Sequence, residues 1–177
     1  MAQSKIDWLK STIRDIPDFP KPGIIFKDLT TLLNNAEAFA YVIDVLAAKY
    51  QPMQPAYIAG IEARGFIIGS ALAYKMGTGF VPVRKPGKLP YQVERQSYQL
   101  EYGSDSVEVH VDAVPDGSTV VLVDDLLATG GTALAAYQLL GKVGANVVGI
   151  GFVTELSFLS GRCKLPANVD IFSMLSF

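Results

Sequence analysis

An apolar run that ends in two carboxylates and a glycine turn constrains this chain more than any other feature. It reads Thr119-Val120-Val121-Leu122-Val123-Asp124-Asp125-Leu126-Leu127-Ala128-Thr129-Gly130-Gly131-Thr132. The unbroken aliphatic residues Thr119 to Val123, without polar alternation, mark a strand covered on both faces, as in a parallel sheet. Ala133 to Leu140 has the composition of a helix, and Thr132 stands where a side chain caps a first turn. Between them, Thr129-Gly130-Gly131-Thr132 can turn several backbone N–H groups and two hydroxyls toward one point, because glycine lets a ligand approach the main chain closely. The positive end of the helix dipole faces the same point, so the turn reads as an anion site for a phosphate monoester.

Asp124 and Asp125, at the C-terminal end of this strand, stand where open α/β sheets bind ligands. Carboxylates accept hydrogen bonds from vicinal hydroxyls, and they suit the outer shell of a Mg²⁺ ion held mainly by substrate oxygens. A phosphate cradle beside two hydroxyl acceptors describes a ribose 5-phosphate. On these residues alone, a capped strand–turn–helix with a solvated acidic turn remains open. Val120 to Asp125 followed by Ala128 to Thr132 resembles the phosphoribosyl-diphosphate motif of the type I phosphoribosyltransferases. It is neither a Walker A loop, which ends in Gly-Lys-Ser/Thr, nor a Gly-x-Gly-x-x-Gly dinucleotide turn.

At 177 residues, half of them hydrophobic, the chain fits one domain with a sizeable core. A net charge of −2 and a pI near 5.3 provide no footprint for nonspecific nucleic-acid or acidic-membrane binding. The single cysteine, Cys163, excludes an intrachain disulfide and fits a reducing cytosol. It could pair with the single histidine, His110, as a thiol nucleophile, but nothing in the sequence activates either residue. His110 falls on the polar side of the alternating Val107–Asp112 stretch and is expected to be solvated. The N-terminus has no apolar signal core and no run is long enough to span a bilayer, so a cytoplasmic protein is expected.

Repeated strand–helix units imply a central, mainly parallel sheet flanked by helices. A helix is expected from about Asp7 to Ile16, broken by Pro17-Asp18-Phe19-Pro20-Lys21-Pro22-Gly23. A second helix should start at an Asn34/Glu37 capping pair and bury Phe39, Val42, Ile43 and Leu46. Tyr57–Ile61 reads as a buried strand, Glu62–Gly65 as its loop, Phe66–Met76 as a helix stopped by Gly77, and Gly79–Val83 as a strand. Asn146 to Val153 completes the alternation. Residues 84–114 depart from it. A basic, Pro/Gly-rich loop (Arg84 to Pro90) precedes a β-hairpin of Ser97–Tyr102 and Val107–Val111, together a candidate lid.

Arg64 suits a pyrophosphate, since a guanidinium binds two phosphate oxygens at once. Taken alone it could equally pair with Glu62 at the surface. Several segments resemble the adenine branch of the type I phosphoribosyltransferases. They are Pro17–Asp28, Ile58–Phe66, Arg84–Pro90 with Ser97–Gly103, and Glu155-Leu156 with Leu159, Gly161 and Arg162. Lys27 stands where many relatives have arginine. The resemblance implies the type I fold, with a small N-terminal hood (1–34), an α/β core (35–155) carrying the lid, and a C-terminal segment (156–177) completing the hood. It implies a cis peptide in the pyrophosphate loop, expected at Ala63–Arg64.

The resemblance further implies transfer of phosphoribose from 5-phosphoribosyl 1-diphosphate to adenine, giving AMP and pyrophosphate with Mg²⁺, in a homodimer. Ala128, Thr129, Gly130, Gly131 and Thr132 would hold the 5-phosphate, and Asp124 and Asp125 the ribose. Arg64, Arg84, Lys88 and Tyr102 would meet the pyrophosphate, and Glu101 would be the acid/base. Phe26 would stack on the base, backbone groups of Ile25 and Lys27 would read its edge, and Leu156 would wall the pocket. No direct protein ligand to the metal is implied. The alternatives are transfer to another base and a regulator that senses phosphoribosyl diphosphate. About sixteen residues precede the Pro-rich segment, too few for a helix-turn-helix, which argues against the regulator.

Overall fold

The structure, a computed structural model, describes residues 3–99 and 103–177. The chain divides into two compact units, Met1–Val45 and Leu46–Phe177, with the division inside one helix. In the first unit, helix α1 (Gln3–Ser11) buries Leu9. It ends at Ser11, well before the expected Ile16; helical geometry is disfavoured at Ile16 itself, the residue before Pro17. Arg14–Pro17 is instead strand β1, antiparallel to β2 (Ile25–Asp28). Opposite charges face each other across this ladder, Arg14 Nη2 at 2.7 Å from Asp28 Oδ2 and Lys27 Nζ at 2.6 Å from Asp15 Oδ1.

Asp28 also starts the next element. Its Oδ1 accepts the Thr30 N–H at 2.9 Å and the Thr30 hydroxyl at 2.6 Å, fixing the short helix α2 (Thr30–Leu33). The bonds from Thr30, with Arg14 beside them, hold the Asp28 carboxyl down at about 2. Helix α3 (Ala36–Tyr50) buries Val42, Ile43 and Leu46 as its periodicity requires, with Phe39 half-buried. Its cap is Asn35, whose Oδ1 accepts the Ala38 N–H at 3.0 Å, one residue past the expected Asn34.

The larger unit runs β3 (Tyr57–Ile61), α4 (Arg64–Met76), β4 (Gly79–Val83), β5 (Val93–Gln99), β6 (Ser104–His110), β7 (Thr119–Leu127), α5 (Gly131–Lys142), β8 (Asn146–Glu155) and β9 (Asp170–Ser176). Five strands form one sheet in the order β4-β3-β7-β8-β9, with every pairing parallel. Residues 170–176, which the sequence reading assigned to a segment completing the hood, form its outer strand. The connection β3–α4–β4 leaves in one direction and β7–α5–β8 in the other, so the winding reverses between β3 and β7. Both faces are covered. Val120 and Leu122 join a core with Ala135, Ala136, Leu139 and Leu140 of α5, while Val123 lies against Gly69 of α4.

β5 and β6 form the expected hairpin, with Arg95 opposite Glu108 and Tyr98 opposite Asp105. Val107 and Val109 enter the core beside α5. The other side of β6 is not solvated, contrary to the alternation. Arg84 pairs its backbone with that of Glu108, N to O at 2.8 Å in both directions, and lays its own segment across the strand. Glu108 is therefore buried, and His110 is half-buried against the edge of Tyr91, not solvated as expected. Among the described residues no helix is long and apolar enough to cross a membrane.

Because the native carboxyl of Asp28 titrates near 2 and an unfolded aspartate near 4, its contribution is present above about pH 4 and is lost as pH falls through 2. Asp28→Asn is expected to lower the melting temperature at pH 7, with the gap to the parent closing between pH 4 and 2 in a thermal-denaturation series.

Candidate active site

The site starts from a mismatch in strand length. The ladder between β3 and β7 ends at Val123, whereas the ladder between β7 and β8 continues to Leu127. Asp124 and Asp125 thus belong to the strand, inside β7 and not just beyond it, with their β3 side open. The first turn of α4 fills part of that opening. Gly65 comes so near that a Cβ there would lie 2.7 Å from Asp124 Oδ1. Arg64 opens this turn, two residues earlier than the expected helix start, and its Nε lies 2.6 Å from Asp125 Oδ2.

Asp124 is half-buried and Asp125 only 4 % exposed. The Asp124 carboxylate accepts the Asp125 N–H at 2.9 Å, and the Asp125 carbonyl accepts the Thr154 hydroxyl at 3.0 Å. Burial pushes both carboxyls up. The charge of Asp125 drives Asp124 further, while the Arg64 guanidinium opposes the rise at Asp125. Asp125 Oδ2 is buried without a well-directed hydrogen bond, although Arg64 neutralises it. The pair is an acceptor surface held ready for hydroxyl groups or a cation.

Beyond β7 the turn closes around a pocket of about 80 Å³, lined by Asp124, Leu126, Leu127 and residues 128–133. Gly130, at φ +79°, is the N-cap of α5, displacing the expected Thr132, which lies within the first turn without a side-chain capping bond. A Cβ at Gly130 would meet the Gly161 carbonyl, and one at Gly161 would meet the Ala128 carbonyl. Two loops are therefore stacked backbone on backbone. The Gly161 loop is fixed in turn by Arg162, whose Nε and Nη2 reach Glu155 at 3.1 and 2.5 Å and whose Nη1 reaches the Ile171 carbonyl at 2.9 Å. That guanidinium also holds the Glu155 carboxyl below its usual range. The pair accounts for the Glu155…Arg162 spacing seen in the sequence. Leu156, half-buried, follows Glu155 and donates its N–H to the Leu127 carbonyl at 2.9 Å.

A second cleft, of about 420 Å³, opens toward β3 and is lined by Glu62, Arg64, Lys85, Asp124, Asp125 and Thr132 among others. It shares Asp124, Leu126 and Thr132 with the phosphate-sized pocket, so one ligand can span both. Its floor includes a non-proline cis peptide at Glu62–Ala63, one bond before the expected Ala63–Arg64. Glu62 pairs with Arg84, not Arg64, at 3.2 Å to both Nε and Nη2, and accepts the Lys85 N–H at 2.9 Å. Arg84 holds the Glu62 carboxyl low, with a smaller effect from the charge of Lys88. Arg84 Nη1 donates to the Lys88 carbonyl at 3.0 Å, and Lys88 itself is exposed.

Lys85 was missed in the sequence. Its ammonium pairs with Asp105 and donates to the Tyr98 hydroxyl at 2.9 Å, tying the cleft to the hairpin. Its place in the basic Arg84–Pro90 run was the available signal. Glu101 and Tyr102 lie outside the described residues. Ile25, Phe26 and Lys27 lie on β2 in the N-terminal unit, Phe26 edge-on to Phe19 at 5.2 Å. A groove of about 520 Å³ at the opposite end of β8 is lined by no charged side chain.

Residues 28–157 match the phosphoribosyl transferase domain. An adenine phosphoribosyltransferase from Acaryochloris marina is 60 % identical over 158 residues, covering 89 % of this chain and 93 % of that protein. The chain belongs to the adenine phosphoribosyltransferases. Among solved members of that family, the Rhodothermus marinus structure superposes with a TM-score of 0.94 at 46 % identity, covering 99 % of this chain and 100 % of its own. The Saccharomyces cerevisiae adenine phosphoribosyltransferase superposes at 0.92 with 41 % identity, covering 98 % of this chain and 100 % of its own. It was crystallised with an imino-altritol bisphosphate and adenine.

Carboxyls whose native pKa is raised lose stability as pH rises through the native value, since the unfolded chain ionises first. Asp124→Asn keeps an acceptor for the Asp125 N–H and removes one charge. It is expected to stabilise the ligand-free protein by about 1 kcal/mol at pH 8, the gain shrinking toward pH 4. Melting curves across that range check this; a less stable variant at pH 8 would contradict the electrostatic account.

Proposed function

We propose that this chain transfers the 5-phosphoribosyl group of 5-phosphoribosyl 1-diphosphate to adenine, forming AMP and pyrophosphate in purine salvage. The observation that carries this reading is the pair of spaces joined at Asp124, Leu126 and Thr132, one phosphate-sized and one charged, at the winding reversal of the sheet. Family membership supports it, as does adenine in the crystals of the yeast relative.

Residues 128–132 take the 5-phosphate at the positive end of α5, where backbone N–H groups converge. Asp124 and Asp125 accept the ribose hydroxyls and favour positive charge developing at the anomeric carbon. Arg64, Arg84 and Lys88 stabilise the departing diphosphate, Arg84 chiefly by bracing Glu62 and the Lys88 carbonyl. Lid residues 84–114, with Tyr102, exclude water that would compete as nucleophile. Phe26 stacks on adenine, backbone groups of Ile25 and Lys27 read its edge, and Leu156 walls the pocket. Glu101 moves the proton at the purine.

The donor set suits Mg²⁺ held through the substrate. Among the described residues no cluster of three or more His, Cys, Asp or Glu could hold a metal, yet Asp125 has a buried oxygen without a hydrogen bond. When bound, Mg²⁺ neutralises charge on the diphosphate. A cytoplasmic homodimer is part of the same proposal, on family grounds.

Purified protein should form AMP from adenine and the diphosphate in a coupled assay, with hypoxanthine inert; no turnover of adenine would reject the reading. Glu101→Ala should lower kcat by about 10²-fold or more while sparing affinity for the diphosphate. Near-normal turnover would remove its acid/base role.

A further inference from the structure

Glu108 is 1 % exposed, and nothing in the reaction as described uses it. Its two oxygens are divided between two partners. Oε1 accepts Arg95 Nε at 2.8 Å, straight across the hairpin, and pairs with Nη2 of the same guanidinium. Oε2 accepts the Gly87 N–H at 2.9 Å. A buried carboxylate is costly unless its charge is paired and its lone pairs are used, so this arrangement is a specific one.

The recipient of the second contact matters most. Pro86, Gly87 and Lys88 are all exposed, so their turn has no buried side chain of its own to hold it. Polar tethers fix it instead. Gly87 hangs from Glu108 Oε2, and the Lys88 carbonyl hangs from Arg84, which is itself clamped by Glu62. A hairpin needing only a cross-strand ion pair would be served by Arg95 alone; the bond to Gly87 reaches past it to the residue before Lys88. Lys88 in turn acts electrostatically on Glu62, a wall of the charged cleft.

We propose that Glu108 is a positioning residue, holding the Pro86–Lys88 turn so that the Lys88 ammonium is presented to the diphosphate. This rests on the reading that Lys88 meets the leaving group. Glu108→Ala is expected to raise the KM for phosphoribosyl diphosphate about tenfold and leave the KM for adenine within about twofold. Glu108→Gln, whose amide oxygen can accept the Gly87 N–H only with its NH₂ turned toward Arg95, should recover part of that loss, to a KM within about fivefold of the parent. In a Lys88→Met background, Glu108→Ala should add nothing further. Should Glu108→Ala fail to fold, Arg95→Gln, a change at a half-exposed side chain, takes its place, with a KM rise of about threefold.

A merely structural role predicts a lower melting temperature and less active protein at unchanged KM, and that result overturns the proposal. Additive losses in the Lys88→Met background overturn it too. Calorimetric titration of the diphosphate into the same variants reads the effect without adenine. Wild-type protein that binds the diphosphate but makes no AMP would therefore count against the proposed function, not against the tether.

Discussion

Strand β7 runs past the end of its ladder with β3, and the carboxylates of Asp124 and Asp125 ride on that overhang. Backbone pairing to β8 on one side keeps the overhang rigid; the missing partner on the other side leaves the cleft. Both carboxyls are thereby driven toward the protonated form, with the Arg64 guanidinium the largest opposing influence at Asp125. Such a pair is a standing instability of the empty protein. A ligand bringing hydroxyl donors or a cation relieves it, so binding and folding pull on the same two side chains.

Around this centre the loops are held by arginine–carboxylate pairs in which the acid lies on or at the end of a strand. Asp125 on β7 holds Arg64, Glu62 after β3 holds Arg84, Glu108 on β6 holds Arg95, and Glu155 at the end of β8 holds Arg162. Isolated surface pairs contribute little to stability. Here their effect is geometric, because planar, forked guanidinium contacts fix loops that bury few side chains of their own.

The sheet was legible because β3, β4, β7 and β8 are continuous apolar runs, and a doubly covered parallel strand has no other signature. The turn at 128–132 was legible from its glycines, as Gly130 at φ +79° requires. The misreadings have local causes. Ile16 continues a helical periodicity that Pro17 forbids, and of the adjacent Asn34 and Asn35 only the second makes the capping bond. The first half of β5, Val93–Gln96, is hidden in the sequence because it is polar where one face pairs with Glu108 and not with water. Strand β9 was missed at the sheet edge. Lys85 and Glu108 escaped because their partners are set by hairpin register, which spacing along the chain does not reveal; aligning Arg95 with Glu108 across the turn would have exposed the second.

The contact between Gly130 and Gly161 makes two distant turns depend on each other. The backbone of each loop leaves no room for a side chain at the glycine of the other, so neither loop can move or take a larger residue there without displacing its neighbour. Although some thirty residues separate them in the chain, the 128–132 turn and the 160–162 turn form one structural unit. Transplanting the 128–132 turn to another parallel sheet would mean carrying the second turn, and the Glu155–Arg162 clasp beneath it, along with the first.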